Sequence, residues 1–398
     1  MSKGWSQSQL ADYMGRSPGR LCPASGNPKS DFVIKLAEVL GWTPGEVLEV
    51  IWSTDEPAAA SVTNGTARNW DHLFDEAIDA LNGGRYHDLL RVARSMRDHA
   101  RTPDQIACGF NFEVGAWDGL GRYLNALEAA QKGLELPRLE TRWRRRLQAN
   151  LANALYTLWR LPGALGLADL LVRRHGDADI TDVEEREFVA FIFYLRGNTL
   201  RRLMRIEIDD RIRHATQACE DLTRARELYR GLATELDSAR FEGIARTCES
   251  ALLEVRVELG EVEGHAAVTE LAEMLDDVID PREIEGGDLL ESYGWSCVFG
   301  SNIALSSMRG PELQRSVDLF VQKALEIADV LDNWALRERA ITLQYELHRM
   351  LVEPTGLRFD FVVEEETRNL VAQTMGRFPA FRSVGWRILN SASVARKN

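Results

Sequence analysis

The chain has 398 residues, of which 45% are hydrophobic and 27% charged, a balance that excludes global disorder and suits either two or three domains or a small domain plus a solenoid. Its formal charge is −13; residues 1–52 hold five basic and five acidic groups, so the acidic excess lies downstream and argues against nonspecific nucleic-acid binding there. Five widely spaced cysteines without a CxxC pair indicate neither a disulfide framework nor a cysteine zinc site, and no apolar run reaches the length of a membrane span, so a cytoplasmic protein with buried free thiols is expected.

Residues 1–52 read as a compact helical module. Ser6 caps a short helix, QSQLADYM, that ends at Gly15. Ser30-Asp31 opens a second, FVIKLAEVL, stopped by Gly41. Thr43-Pro44 opens a third, with Pro44 in the tolerated first turn and Val47, Leu48 and Ile51 facing inward. The order SQSQLADYMG, FVIKLAEVLG, TPGEVLEV resembles the Cro/repressor-type helix-turn-helix family. That resemblance implies a recognition element near Ser17 to Ser25 and DNA contacts from Arg16, Ser17, Arg20 and Lys29. This sequence departs from the family at SPGRLCPAS, where Pro23 would cost a helix interior about 3 kcal/mol. A module that only packs against its neighbours is the alternative reading.

Residues 53–66, STDEPAAASVTNGT, lack apolar periodicity and read as a linker. Helical hairpins are expected from residue 67 to residue 352. In the first, Trp70, Leu73, Phe74, Ala77, Ile78 and Leu81 form a stripe that breaks at Gly83-Gly84 before Leu89, Leu90, Ala93 and Met96. The second, Ala107 to Pro137, turns at Gly121-Arg122-Tyr123, 37 residues after Gly84. A third is expected to turn at Arg160-Leu161-Pro162-Gly163. Beyond Asp177 the period loosens into long helices, with further turns at Gly260–Gly264 and Arg309-Gly310-Pro311. Residues 353–398 read as capping helices.

A pair just over thirty residues long with one uncovered apolar face needs neighbours, and the pattern resembles a tetratricopeptide repeat. The expected fold class is therefore all-α: a small helix-turn-helix-like module followed by an α-solenoid of tetratricopeptide-like hairpins. In that family the first helix of each pair lines a concave surface, where asparagine can satisfy both a peptide carbonyl and an amide. The resemblance implies a peptide groove built from Asn111, Phe112, Arg146, Asn150, Asn153 and Asn198.

No GxxxxGK[ST], GxGxxG or HExxH occurs, and the seven histidines are dispersed. A non-enzyme without cofactor or metal is expected. Arg142 and Arg144–Arg146, with Arg201, Arg202 and Arg205, read either as a solvated face balanced by acids or as a basic strip for an anionic ligand. Module, linker and repeat body together resemble peptide-responsive bacterial transcription regulators, which read DNA as dimers. A repeat scaffold that binds proteins but no DNA is the alternative.

Overall fold

The computed structural model describes residues 6–17, 30–40, 47, 70–176, 182–284, 287–352, 361–363 and 365–394. The fold is all-α apart from one short pair of strands, and the body is a helical-repeat, solenoid-like stack. The chain divides into two compact units, Met1–Arg68 with Leu357–Asn398, and Asn69–Gly356.

In the first unit, α1 (Gln7–Tyr13) begins with a reciprocal cap. The Ser6 hydroxyl accepts from the Gln9 amide at 3.1 Å, and the Gln9 side chain accepts from the Ser6 amide at 2.8 Å. The chain leaves α1 through Gly15 at φ +63°. Helix α2 (Ser30–Leu40) turns Phe32, Val33, Ala37 and Val39 onto Ala11, Met14 and Val47. Val47 is helical and buried as its spacing suggests; the rest of the third expected helix and the linker lie outside the described residues. The C-terminal segment, expected to cap the repeats, groups with this unit instead. Its helix α16 (Glu365–Arg377) packs on α2, and the Tyr13 hydroxyl donates to Asn369 at 2.7 Å. A parallel pair, β1 (Phe361–Val363) and β2 (Ala392–Val394), brackets α16 and α17 (Arg382–Ser391), with Phe361 opposite Ala392.

The second unit is a run of antiparallel hairpins. They are α3 (Trp70–Asn82) with α4 (Tyr86–His99), α5 (Pro103–Gly119) with α6 (Tyr123–Leu134), and α7 (Thr141–Thr157) with α8 (Leu161–His175). Longer helices follow: α9 (Val183–Leu203) with α10 (Arg211–Leu236), α11 (Ala239–Glu258) with α12 (Gly264–Glu273), α13 (Gly287–Ser307) with α14 (Gly310–Leu331), and then α15 (Trp334–Val352). Each helix packs on the next in sequence, and successive odd-numbered helices also pack on each other. The odd helices thus form one shared layer, with the even helices outside it.

The first three turns share one geometry. Gly84, Gly121 and Trp159 are left-handed, and the amides of Arg85, Arg122 and Arg160 donate back to the carbonyls of Ala80, Trp117 and Leu155. These turns lie 37 residues apart (Gly84 to Gly121) and 38 apart (Gly121 to Trp159). The third turn comes earlier than the sequence suggests: Leu161 and Pro162 already belong to the first turn of α8, where proline's missing amide costs nothing. Gly121 has a second reason to be glycine. A Cβ there would lie 2.6 Å from the Trp334 ring, so the second hairpin's turn abuts the start of α15. Farther along α15, the Arg339 guanidinium covers the Trp159 ring at 4.7 Å. The stack therefore curls until its last helix meets the turns of its second and third hairpins.

Among the described residues, the largest core runs from the end of α9 to α15, around Phe299, Phe320, Val255 and Leu271. Inside it runs a buried polar chain. Glu254 accepts from Arg201 at 2.6 Å, Asn302 at 3.2 Å and Arg205 at 3.4 Å. Nearby, Arg196 holds Asp221 with two 2.7 Å bonds. Among the described residues, no helix is long and apolar enough to cross a membrane.

Candidate functional site

A groove of about 340 Å³ opens along the odd-numbered layer. Its placement follows from helical spacing. On α5, Asn111, Gly115 and Asp118 stand at i, i+4 and i+7; on α7, Arg146, Asn150 and Asn153 repeat that spacing. Glu184, Phe188 and Phe191 do the same on α9, with Glu187 beside them at i+3, and Arg240 and Ile244 of α11 complete the wall with Leu81 and Tyr229. A second lobe of about 200 Å³ shares Phe191, Tyr229, Arg240 and Ile244 and adds Thr247, Asp288, Glu291 and Trp295.

Five of the six residues expected in a groove line this one: Asn111, Phe112, Arg146, Asn150 and Asn153. Asn150 donates to the Asn111 carbonyl at 2.8 Å, so the two amides are held edge to edge with one donor and one acceptor spent. Asn153 is half-buried and makes no hydrogen bond among the described residues. Phe112 is shared: it packs in the core of the first hairpins, edge-on to Phe74 at 5.6 Å, and shows only its margin to the groove.

Asn198 is the exception. It is 1% exposed, its amide donates to the Tyr194 carbonyl at 3.2 Å, and its oxygen accepts from Arg201 at 3.1 Å. It belongs to the core and not to the groove, because the C-terminal half of α9 is covered by α10 and α11. The warning was in the spacing. Asn198 follows Asn153 by 45 residues, well beyond the 37 and 38 of the earlier turns.

Much of the first arginine cluster is balanced by acids. Arg142 and Arg146 both reach Glu184, at 2.9 and 2.8 Å, and Arg145 grips Glu185 while lying over the Phe188 ring at 4.6 Å. These glutamates therefore do more than favour the start of α9. Arg201 and Arg202 are buried, Arg202 against the Tyr156 and Trp159 rings, so the expected basic strip does not extend to them.

Charge in the groove is asymmetric. Arg240 pairs with Glu187 at 3.1 Å. Asp118 is half-buried one residue before the Gly119-Leu120-Gly121 turn, and its carboxylate has neither a cation nor a hydrogen-bond donor among the described residues. Burial, reinforced by the Glu291 carboxylate, pushes its carboxyl up to about 7. Glu291 is itself raised by burial, although Trp295 and Asn333 donate to it at 2.9 Å each. Tyr86, packed on Gly119, is raised by burial and then by Asp118, Glu291 and Asp288. Sequence reading missed Asp118, Phe188, Phe191, Arg240 and Ile244; for Asp118 the available signal was its position seven residues after Asn111.

Of the residues expected to touch DNA, Arg16 lies with its guanidinium 5.2 Å from the Phe32 ring centre and Ser17 is exposed; Arg20 and Lys29 lie outside the described residues. Cys108, Cys248 and Cys297 are buried, and burial pushes the Cys108 thiol up to about 12. Glu207, Asp210 and His214 each place one donor atom within 4.8 Å of the others. His214 already meets Glu207 at 2.7 Å, and Asp210 is paired with Arg213. The chain matches no protein-family model and no curated protein.

Proposed function

We propose that the repeat unit is a receptor for an extended peptide, and that the chain is a DNA-binding transcriptional regulator controlled by that ligand. One observation carries the receptor reading: Asn111, Asn150, Asn153 and Arg146, on successive odd-numbered helices, converge on one groove. Asparagine offers an extended backbone both a donor and an acceptor, and Phe188 and Phe191 offer apolar surface for side chains. The resemblance to tetratricopeptide arrays points the same way, since their first helices line the concave face.

The regulatory half rests on the N-terminal resemblance: the reciprocal cap at Ser6 and Gln9, the Leu10-Ala11 pair, and the Phe32–Leu40 helix. Ligand binding would change the curvature of the stack and so the spacing of two DNA modules in a dimer. Net neutrality of residues 1–52 favours the second reading, a protein-binding scaffold that does not bind DNA, because phosphate contacts normally need a basic excess.

Two measurements test these readings on the full chain. Fluorescence binding to genomic and random DNA fragments at 150 mM salt should show a preferred genomic fragment; equal or absent binding retires the regulator in favour of the scaffold. Degenerate octapeptide pools should bind the wild type and bind Asn153→Ala at least tenfold more weakly. Capture that survives Asn153→Ala and Asn150→Ala together removes the clamp.

A further inference from the structure

The groove carries carboxylates of two kinds. Glu184 and Glu187 face guanidinium groups of the groove itself, Arg146 and Arg240. Among the described residues the Asp118 carboxylate has no partner, and Glu291 of the adjoining lobe is met only by the neutral Trp295 and Asn333. Two buried carboxylates of the core are treated differently: Asp221 receives a two-pronged arginine and Glu254 two arginines and an amide. An unpaired carboxylate in a partly dry cleft is costly, and a cation supplied from outside removes that cost.

We propose that Asp118 receives a cationic group of the ligand, with Glu291 adding attraction from the adjoining lobe. This inference rests on the peptide-groove reading and specifies it: the ligand is a peptide whose amino terminus, lysine or arginine enters the Asp118 end. Its backbone then runs past Asn111 and Asn150 toward Asn153, and its apolar side chains lie against Phe188 and Phe191. The charges facing Asp118 and its lobe are Glu291, Asp288 and the Tyr86 phenol, with the Arg240–Glu187 and Arg146–Glu184 pairs farther along. None of the groove's arginines is an ion-pair partner of Asp118, so an incoming cation has no intramolecular rival.

The test uses the full chain and two sets of probes. The first is benzylamine, benzamidine and the neutral benzyl alcohol, followed by calorimetry and by tryptophan fluorescence, since Trp295 lines the lobe and donates to Glu291. The two cations should bind saturably, at least tenfold more weakly to Asp118→Asn and near wild-type strength to Asp118→Glu, while the alcohol leaves the signal unchanged. Equal responses to amine and alcohol, or cation binding that Asp118→Asn does not weaken, overturns the inference. The second set is degenerate octapeptide pools with free or acetylated amino termini, with and without lysine and arginine. Loss on acetylation assigns the cation to the terminus; loss on omitting the basic residues assigns it to a side chain. Pools that bind wild type and Asp118→Asn alike but fail on Asn153→Ala sink the cation site and leave the peptide groove standing. Amines that bind through Asp118 where no pool binds keep the cation site and sink the peptide reading.

Discussion

Two regions of the repeat unit treat buried charge in opposite ways. Between α9, α11 and α13, Arg201 and Glu254 meet at 2.6 Å, with Arg205 and Asn302 taking the remaining acceptor positions. In the groove over α5, α7 and α9, the half-buried Asp118 carboxylate and the Asn153 amide have no partner among the described residues. In the first arrangement the buried carboxylate is met by two arginines and an amide, although the Asn302 oxygen itself is left without a partner, and the network fixes how three long helices pack. The second is open, and its unsatisfied groups all face one cleft.

Breaking the closed network should have the largest effect. Arg201→Ala leaves Glu254 buried with weaker partners, and should cost about 3–5 kcal/mol in denaturant unfolding. A loss under about 1 kcal/mol would mean that water enters the site and that the contrast between the regions is false. Replacing Gly121 by valine should come next. It forces a side chain into the left-handed region and onto the Trp334 ring, at about 1–3 kcal/mol, measurable as a lower Tm. An unchanged Tm would show that the contact between the second hairpin's turn and α15 does not hold the stack.

The open region should respond to pH instead. Asp118 binds its proton more tightly in the folded chain, near 7, than in the unfolded chain, near 4. Its contribution to stability is therefore complete at pH 4 and falls as pH rises through 7, where the folded carboxyl ionises. Groove water screens the charge, so the loss should be about 1–2 kcal/mol and not the roughly 4 kcal/mol of a dry site. Asp118→Asn should flatten that slope between pH 4 and 8; a parallel slope in the variant refutes the assignment. The smallest effect on stability belongs to Asn153→Ala, within about 0.5 kcal/mol, because a half-buried amide without partners contributes little to the fold. A larger loss would place Asn153 among the structural residues, beside Asn198.

Much of the helical outline was legible because its causes are local. Glycine and proline punctuate the hairpins, and the apolar stripe from Trp70 to Leu81 has the 3.6-residue period of a half-buried helix. Five groove residues were legible for the same reason: repeat spacing carries a face from one hairpin to the next. Asn198 was misplaced because the repeat spacing was carried onto α9, where the interval is longer and neighbouring helices cover what is open on α7.

By itself, the sequence determined an all-α chain, the places of its first turns, and a run of hairpins that bury their apolar faces on one another. These follow from backbone preferences and side-chain periodicity within a few residues. Only the tertiary structure decided that residues 357–398 join the N-terminal unit, through α16 on α2, and that Gly121 meets Trp334. It also decided that, of the groove's three acidic residues, Asp118 has a carboxylate without a partner among the described residues while Glu184 and Glu187 meet arginines. Each of these outcomes depends on contacts between helices far apart in the chain, and the charge a carboxylate can hold depends on what surrounds it rather than on its sequence neighbours.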